Sequence, residues 1–362
     1  MQKEGSGSKT VQGETVTNCV RLADIGFDVA IGNPPYNKIQ NATNHEQMSI
    51  YPYVINEAKE RAKTAIFIFP GRCLSGAGRK KIAKWGGEQT KSPHFSLLKF
   101  YENPKACPLP IDIPGGLAIG KWSKLKTGKP IGEIYIRHPL LSSALAKVRA
   151  FKEETVTSHI ALSRYNRFSK EARKYIPSIP AVMSSPSFKR WDGVAFFRER
   201  PKDGREYIQI LGLDAKAKRA YRFIRRDWVM PTLNLAKWKV FVPKANSSGA
   251  LGETLSTPLI GQPLIGHTET FLSIGSFDTE PEAEACLKYV KSKFARAMLG
   301  ILKVTQDNPK DTWKYVPWQD FTPSSDIDWT QSIPDIDRQL YKKYGLDENE
   351  IAFIENNVKE ME

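Results

Sequence analysis

Short apolar runs, each closed by a backbone breaker, punctuate the first third of the chain. Val29–Ile31 runs through Gly32 into two prolines, Ala65–Phe69 stops at Pro70, and Phe95–Phe100 follows. Ile111–Ile119 folds on itself at Gly115-Gly116, where two residues without Cβ allow a tight positive-φ bend. The polar-apolar pattern between the first two runs, His45 to Lys63, predicts a helix. Ser75–Gly78 predicts a turn, and the basic segment Arg79–Trp85 the helical half of a second strand–helix unit. A strand spacing of about 30 residues suits βαβ connections, so the front of the chain reads as α/β. Further on, Phe277 to Phe294 reads as one amphipathic helix, and Leu340–Leu346 belongs to the last helix. Ile274–Asp278 reads as a strand-to-helix connection.

The end of the first run carries the most chemistry. Two consecutive prolines cannot donate to a strand ladder, so the strand stops at Asn33-Pro34-Pro35-Tyr36. A residue before proline is held extended, which places Asn33 at the C-terminal tip of the strand, where ligands of open α/β sheets bind. A carboxamide, a proline carbonyl and an aromatic ring together suit a planar base with an exocyclic amine. The two oxygens accept the amine hydrogens and the ring stacks.

Phe27-Asp28-Val29-Ala30-Ile31-Gly32-Asn33-Pro34-Pro35-Tyr36 resembles the catalytic motif of the DNA adenine-N6 methyltransferases of type II restriction–modification systems, including the fused endonuclease–methylases. The Ile111-Asp112-Ile113-Pro114-Gly115-Gly116 hairpin and the C-terminal run are also similar to that family. The resemblance implies S-adenosylmethionine as methyl donor and double-stranded DNA as substrate. Asn33 and Pro34 would hold the amine, Pro35 would stiffen the turn and Tyr36 would stack. It also implies the fold: a partial Rossmann-like methyltransferase sheet, an α+β DNA-recognition domain and a helical C-terminal region. Expected boundaries are a flexible leader at 1–24, the catalytic-motif half at 25–135, the recognition domain at 136–265 and the helical domain at 266–362.

Such an enzyme also needs a glycine-rich turn and a ribose-binding carboxylate for its cofactor. Gly5 and Gly7 form a G-x-G with no apolar strand before it, so no cofactor-binding residue is assigned. The expectation is therefore a truncated or split enzyme, with a second chain supplying the cofactor half. The alternative is a catalytically incomplete DNA-binding or specificity protein. An RNA or protein-amide methyltransferase would use the same turn, but the large basic region favours duplex nucleic acid.

Charge locates that region. The net +15 is uneven: residues 121–245 hold 28 Lys and Arg against 10 Asp and Glu, or +18, beside +5 for 1–120 and −8 for 246–362. Within the basic third, cations alternate with aromatics at Arg164 and Arg167, Lys189 and Arg190, Arg222, Arg225 and Arg226, and Lys237 and Lys239. These nine are the expected phosphate contacts. Trp191, Trp228 and Trp238 are expected to pack in the core or at its rim. Cys19, Cys73, Cys107 and Cys286 are scattered, without metal-ligand spacing, and read as reduced thiols of a cytoplasmic protein with no metal site. No run of apolar residues is long enough to span a membrane.

Overall fold

The computed structural model describes residues 26–41, 46–76, 80–102, 113, 115–161, 166–246 and 250–361. The front third contains β1 (Phe27–Gly32), β2 (Asn37–Asn41), β3 (Glu46–Ser49), α1 (Tyr51–Arg61), β4 (Ala62–Pro70), α2 (Lys80–Lys91), β5 (Phe95–Tyr101) and β6 (Leu117–Ser123). The described residues are mixed α/β and divide into two units. One gathers the residues up to Phe69, Pro93–Lys99 and Ile119–Lys129; the other holds Pro70–Ser92, Phe100–Ala118 and everything from Pro130.

The first unit is built on a four-stranded sheet in the order β1-β4-β6-β5, with β1 parallel to β4. Alternation along β4 buries Ala65, Phe67 and Phe69 on one face. There Tyr51 stacks on Phe69 with centroids 6.2 Å apart, and Trp122 lies 5.7 Å from Phe69 and 5.0 Å from Phe95. The helix expected over 45–63 begins only at Tyr51, because Glu46–Ser49 pairs antiparallel with Asn37–Asn41 as a hairpin. Pro52 in the first turn opens α1, and Ala62 turns extended to end it. β1 is the outer strand among the described residues. Its apolar residues Phe27, Val29 and Ile31 are 49%, 52% and 75% exposed. A parallel strand is ordinarily covered on both faces, so this is an unusual amount of apolar surface.

In the second unit α2 runs to Lys91, longer than its basic segment suggested. Its Gly86 lets the helix pass against the 3-10 turn Gly71–Ser75, since a Cβ there would lie 2.0 Å from the Cys73 carbonyl oxygen. Gly115 and Gly116 take φ values of +87° and +82°, the bend their pairing suggested, while Ile111, Asp112 and Pro114 lie outside the described residues. The chain continues through α3 (Pro139–Ala150), β7 (Ile160–Ala161), α4 (Lys170–Tyr175), α5 (Ser187–Arg190), β8 (Tyr207–Leu213), β9 (Arg219–Arg225), β10 (Trp238–Pro243), β11 (Leu259–Gly261), β12 (Ile265–His267), β13 (Phe271–Phe277), α6 (Glu280–Lys291), α7 (Lys293–Gly300), α8 (Ile333–Lys343) and α9 (Glu348–Asn357).

Two principal hydrophobic cores organise this unit. The smaller packs Phe168, Phe188, Phe196, Ile208, Ile210, Ile224 and Trp228 on the sheet β12-β8-β9. The larger joins α3 to the C-terminal helices and to the sheet β11-β10-β13-β7. The boundary expected between 265 and 266 therefore falls inside one folded body. β10 and β13 lie on either side of it and pair antiparallel, and α3 belongs to the C-terminal core. The C-terminal segment is also not purely helical, since β12 and β13 begin it.

The single amphipathic helix expected over 277–294 is two helices. A Thr279–Glu282 capping box starts α6, and Ser292, with ψ at 150°, breaks the path and caps α7 through the Ala295 N–H. A buried chain of hydrogen bonds ties β12 to β13. Asn234 Nδ2 donates to Ser273 Oγ (3.1 Å), which lies 3.2 Å from His267 Nε2. His267 Nδ1 is 2.8 Å from the Thr268 carbonyl, an acceptor only, so this nitrogen carries the proton.

Candidate functional site

The turn after β1 places its four residues differently. Asn33 and Pro35 are exposed, Pro34 is buried and Tyr36 is half-buried. The Tyr36 hydroxyl donates to Asn33 Oδ1 at 2.8 Å. Its ring meets Tyr51 edge-on at 6.2 Å, and its carbonyl accepts from the Ile50 N–H at 3.0 Å. The aromatic member of the turn is thus anchored at both ends. The bond holds the carboxamide against the turn with Oδ1 facing the hydroxyl. A carboxamide oxygen has two acceptor positions, so one remains for an incoming amine.

The nine expected phosphate contacts do not form one surface. Arg164 lies outside the described residues. Arg167, Arg225 and Arg226 come together along one cleft of about 840 Å³. Arg222 does not join them. Residues one or three apart on a strand face opposite sides, so β9 sends Arg225 to the cleft and Arg222 toward the core, where its guanidinium lies 5.6 Å from the Phe188 ring. Lys189 and Arg190 are exposed at the end of α5. Lys237 pairs with Asp278.

Lys239 is only 1% exposed. Its ammonium donates to the carbonyls of Leu235 (3.1 Å), Lys237 (2.9 Å) and Gln262 (2.9 Å), and burial pushes its pKa down to about 7. It ties three backbone segments together and takes no part in a phosphate surface, which corrects that expectation. Trp228 is buried and Trp191 and Trp238 are half-buried, so all three pack against protein as expected.

Three cations of the cleft escaped the sequence pattern: Lys170 and Arg173 on α4, and Arg205 in the turn before β8. Cation–aromatic alternation does not mark them, because they sit on a helix and a turn. The helical i, i+3 spacing of Lys170 and Arg173 was the available signal. Among the described residues no cluster of His, Cys, Asp or Glu could hold a metal ion; Cys73 and Cys286 are buried, and the Cys73 thiol donates to the Pro70 carbonyl at 3.2 Å. No described helix is long and apolar enough to cross a membrane.

Residues 3–105 match the family model described as Eco57I restriction-modification methylase, so the front of the chain carries a restriction–modification methylase match that includes the turn at Asn33. No curated protein matches the chain. Among solved structures, the Type IIL restriction-modification enzyme MmeI, determined in complex with DNA, matches at 9% identity with a TM-score of 0.39, over 91% of this chain and 56% of that one. The type IIG restriction endonuclease BpuSI matches at 10% identity with a TM-score of 0.31, over 86% of this chain and 48% of that one. The chain thus spans about half the length of these structures, at 56% and 48%.

Proposed function

We propose that this chain is the catalytic-motif and DNA-recognition part of a DNA adenine-N6 methyltransferase of a restriction–modification system. The observation that carries the reading is the exposed Asn33 carboxamide at the tip of β1, oriented by the Tyr36 hydroxyl at 2.8 Å. The family match over residues 3–105 supports it. Asn33 Oδ1 and the Pro34 carbonyl accept the two hydrogens of the adenine amine. As the nitrogen attacks it becomes tetrahedral and positively charged, and fixed carbonyl dipoles stabilise that charge better than they stabilise the planar ground state. No strong general base is required, because the proton leaves after the bond has formed.

S-adenosylmethionine would supply the methyl group. The turn at Asn33 offers the methyl acceptor's side of the site and no cradle for the adenosine of that cofactor. We therefore assign the cofactor half of the site to polypeptide outside the described residues, a second chain included. The outer edge of β1, with Phe27, Val29 and Ile31 exposed beside it, is where another parallel strand would add. A chain to which nothing adds there would leave the second reading, a DNA-binding specificity protein without chemistry of its own. Transfer of a labelled methyl group to duplex DNA by the chain together with a polypeptide that supplies the cofactor half separates the two: the first reading expects it and the second does not.

Asn33 touches only the extruded base in this account, whereas phosphates are held elsewhere. Asn33→Ala is expected to abolish methyl transfer in any assembly containing the chain and to leave DNA affinity within a few-fold. Unchanged turnover in the variant removes Asn33 from the catalytic role.

A further inference from the structure

The cleft between α4 and the open end of the β8–β9 hairpin is strongly charged. Arg167, Lys170, Arg173, Arg205, Arg225 and Arg226 line it, facing two carboxylates, Glu206 and Asp227. Both carboxylates are exposed, and Asp227 is engaged by Arg225, whose Nε donates to Oδ1 at 3.0 Å. Arg205 has Asp203 3.5 Å away at the surface. Arg226 Nη1 reaches the Val229 carbonyl at 3.4 Å, so these last two guanidiniums keep most of their donors for another acceptor. Arg167, Lys170 and Arg173 are exposed at the mouth. Six like charges drawn into one concavity repel one another, and an anion relieves that repulsion.

One side of the cleft differs. Met230, 41% exposed, and the exposed Pro231 give it apolar surface over the buried Val229. Tyr175, 67% exposed, lies under the guanidinium of the lining residue Arg225, 5.9 Å from its ring centroid. A free inorganic anion has no use for that apolar side. A phosphate ester does, because its sugar is a largely apolar disc attached to the charge. We propose that this cleft seats the sugar–phosphate backbone of one DNA strand, with the phosphate among the guanidiniums and the deoxyribose against Met230 and Pro231. The assignment rests on reading the chain as a DNA-modifying protein. It goes beyond that reading in naming Lys170, Arg173 and Arg205 as contacts and in setting Arg222 and Lys239 aside.

Geometry supplies a matched control. Tyr207 pairs with Arg225 at the cleft end of the β8–β9 hairpin and Leu213 with Arg219 at the other end, where Lys216 and Lys218 are exposed beyond it. Seven residues of strand separate the ends by roughly 20 Å. Arg173→Gln with Arg205→Gln, and Lys216→Gln with Lys218→Gln, remove the same charge from the full chain at the two ends. All four side chains are exposed, and thermal melting confirms folding. Binding of a labelled duplex is followed from low to high salt. The cleft pair is expected to bind roughly tenfold more weakly and to lower the log–log salt slope by about 1.8, at about 0.9 per lost contact. The control pair should stay near the parent.

Equal slopes for the two variants overturn the proposal. So does displacement of the duplex by millimolar deoxynucleoside monophosphate at the affinity of the duplex itself, which would make the cleft a mononucleotide site. The readout is binding alone, so it stays decisive if no chain transfers methyl groups. Loss of turnover in Asn33→Ala, in turn, tests the catalytic reading without touching the cleft.

Discussion

A hydroxyl that orients a carboxamide is a small feature with a large consequence, because the bond from Tyr36 to Asn33 fixes where the amine acceptor of the turn points. Asn33, the prolines and Tyr36 were all evident as a chemical set in the sequence, since two prolines can only end a strand and leave its last residue at the tip. The anchoring of Tyr36 was not, because it depends on Tyr51 and Ile50 arriving from a hairpin that local pattern reading took for helix. The basic residues divide in the same way. Arg225 and Arg226 line one cleft, while strand parity turned their neighbour Arg222 to Phe188 and burial gave Lys239 a carbonyl cage. Among single groups His267 offers the clearest pH test. Burial pushes its pKa down to about 4, below the ordinary 6.5 that it regains on unfolding. Between those values the unfolded chain binds the proton first, so stability present above pH 6.5 is lost as pH falls through 4. The loss from this group amounts to about 3 kcal/mol. Denaturant unfolding of the parent and of His267→Gln at pH 7 and at pH 4.5 checks it. A stability gap between the two proteins that does not narrow on acidification contradicts the assignment.

At the scale of elements, the apolar runs were legible: β1 before the prolines, β4 ending at Pro70 and β5 starting at Phe95. Helix ends were less so. α1 yields its first turn to β3, because antiparallel pairing with β2 satisfies those backbone groups better than a helix flanked by Asn and His would. α2 shows why composition misled. Two adjacent glycines look like a break, yet the helix runs straight through Gly86 and Gly87. The two have opposite environments. A Cβ on Gly86 would meet the Cys73 carbonyl oxygen at 2.0 Å, whereas the nearest atom to one on Gly87 is 3.9 Å away. Gly86→Ala should therefore destabilise the chain by about 1–3 kcal/mol or more. Gly87→Ala should be neutral or stabilising by up to about 1 kcal/mol, the helix propensity of alanine over glycine. Urea unfolding of both variants checks the pair, and equal effects would mean that α2 does not pack on the turn Gly71–Ser75.

For the whole molecule, charge asymmetry and motif order foretold an α/β front and a basic middle, and the middle does hold the cationic cleft. The boundary behind it was not legible, because β10 and β13 close one sheet across it through contacts far apart in sequence. The central claim concerns the product. Duplex DNA should be incubated with S-adenosylmethionine and the chain, together with any polypeptide that supplies the cofactor half, then digested to nucleosides and analysed by mass spectrometry. The account predicts N6-methyldeoxyadenosine at a defined sequence, and none with Asn33→Ala. Methyl groups on cytosine C5, or N6-methyldeoxyadenosine made undiminished by the Asn33→Ala chain, would contradict it.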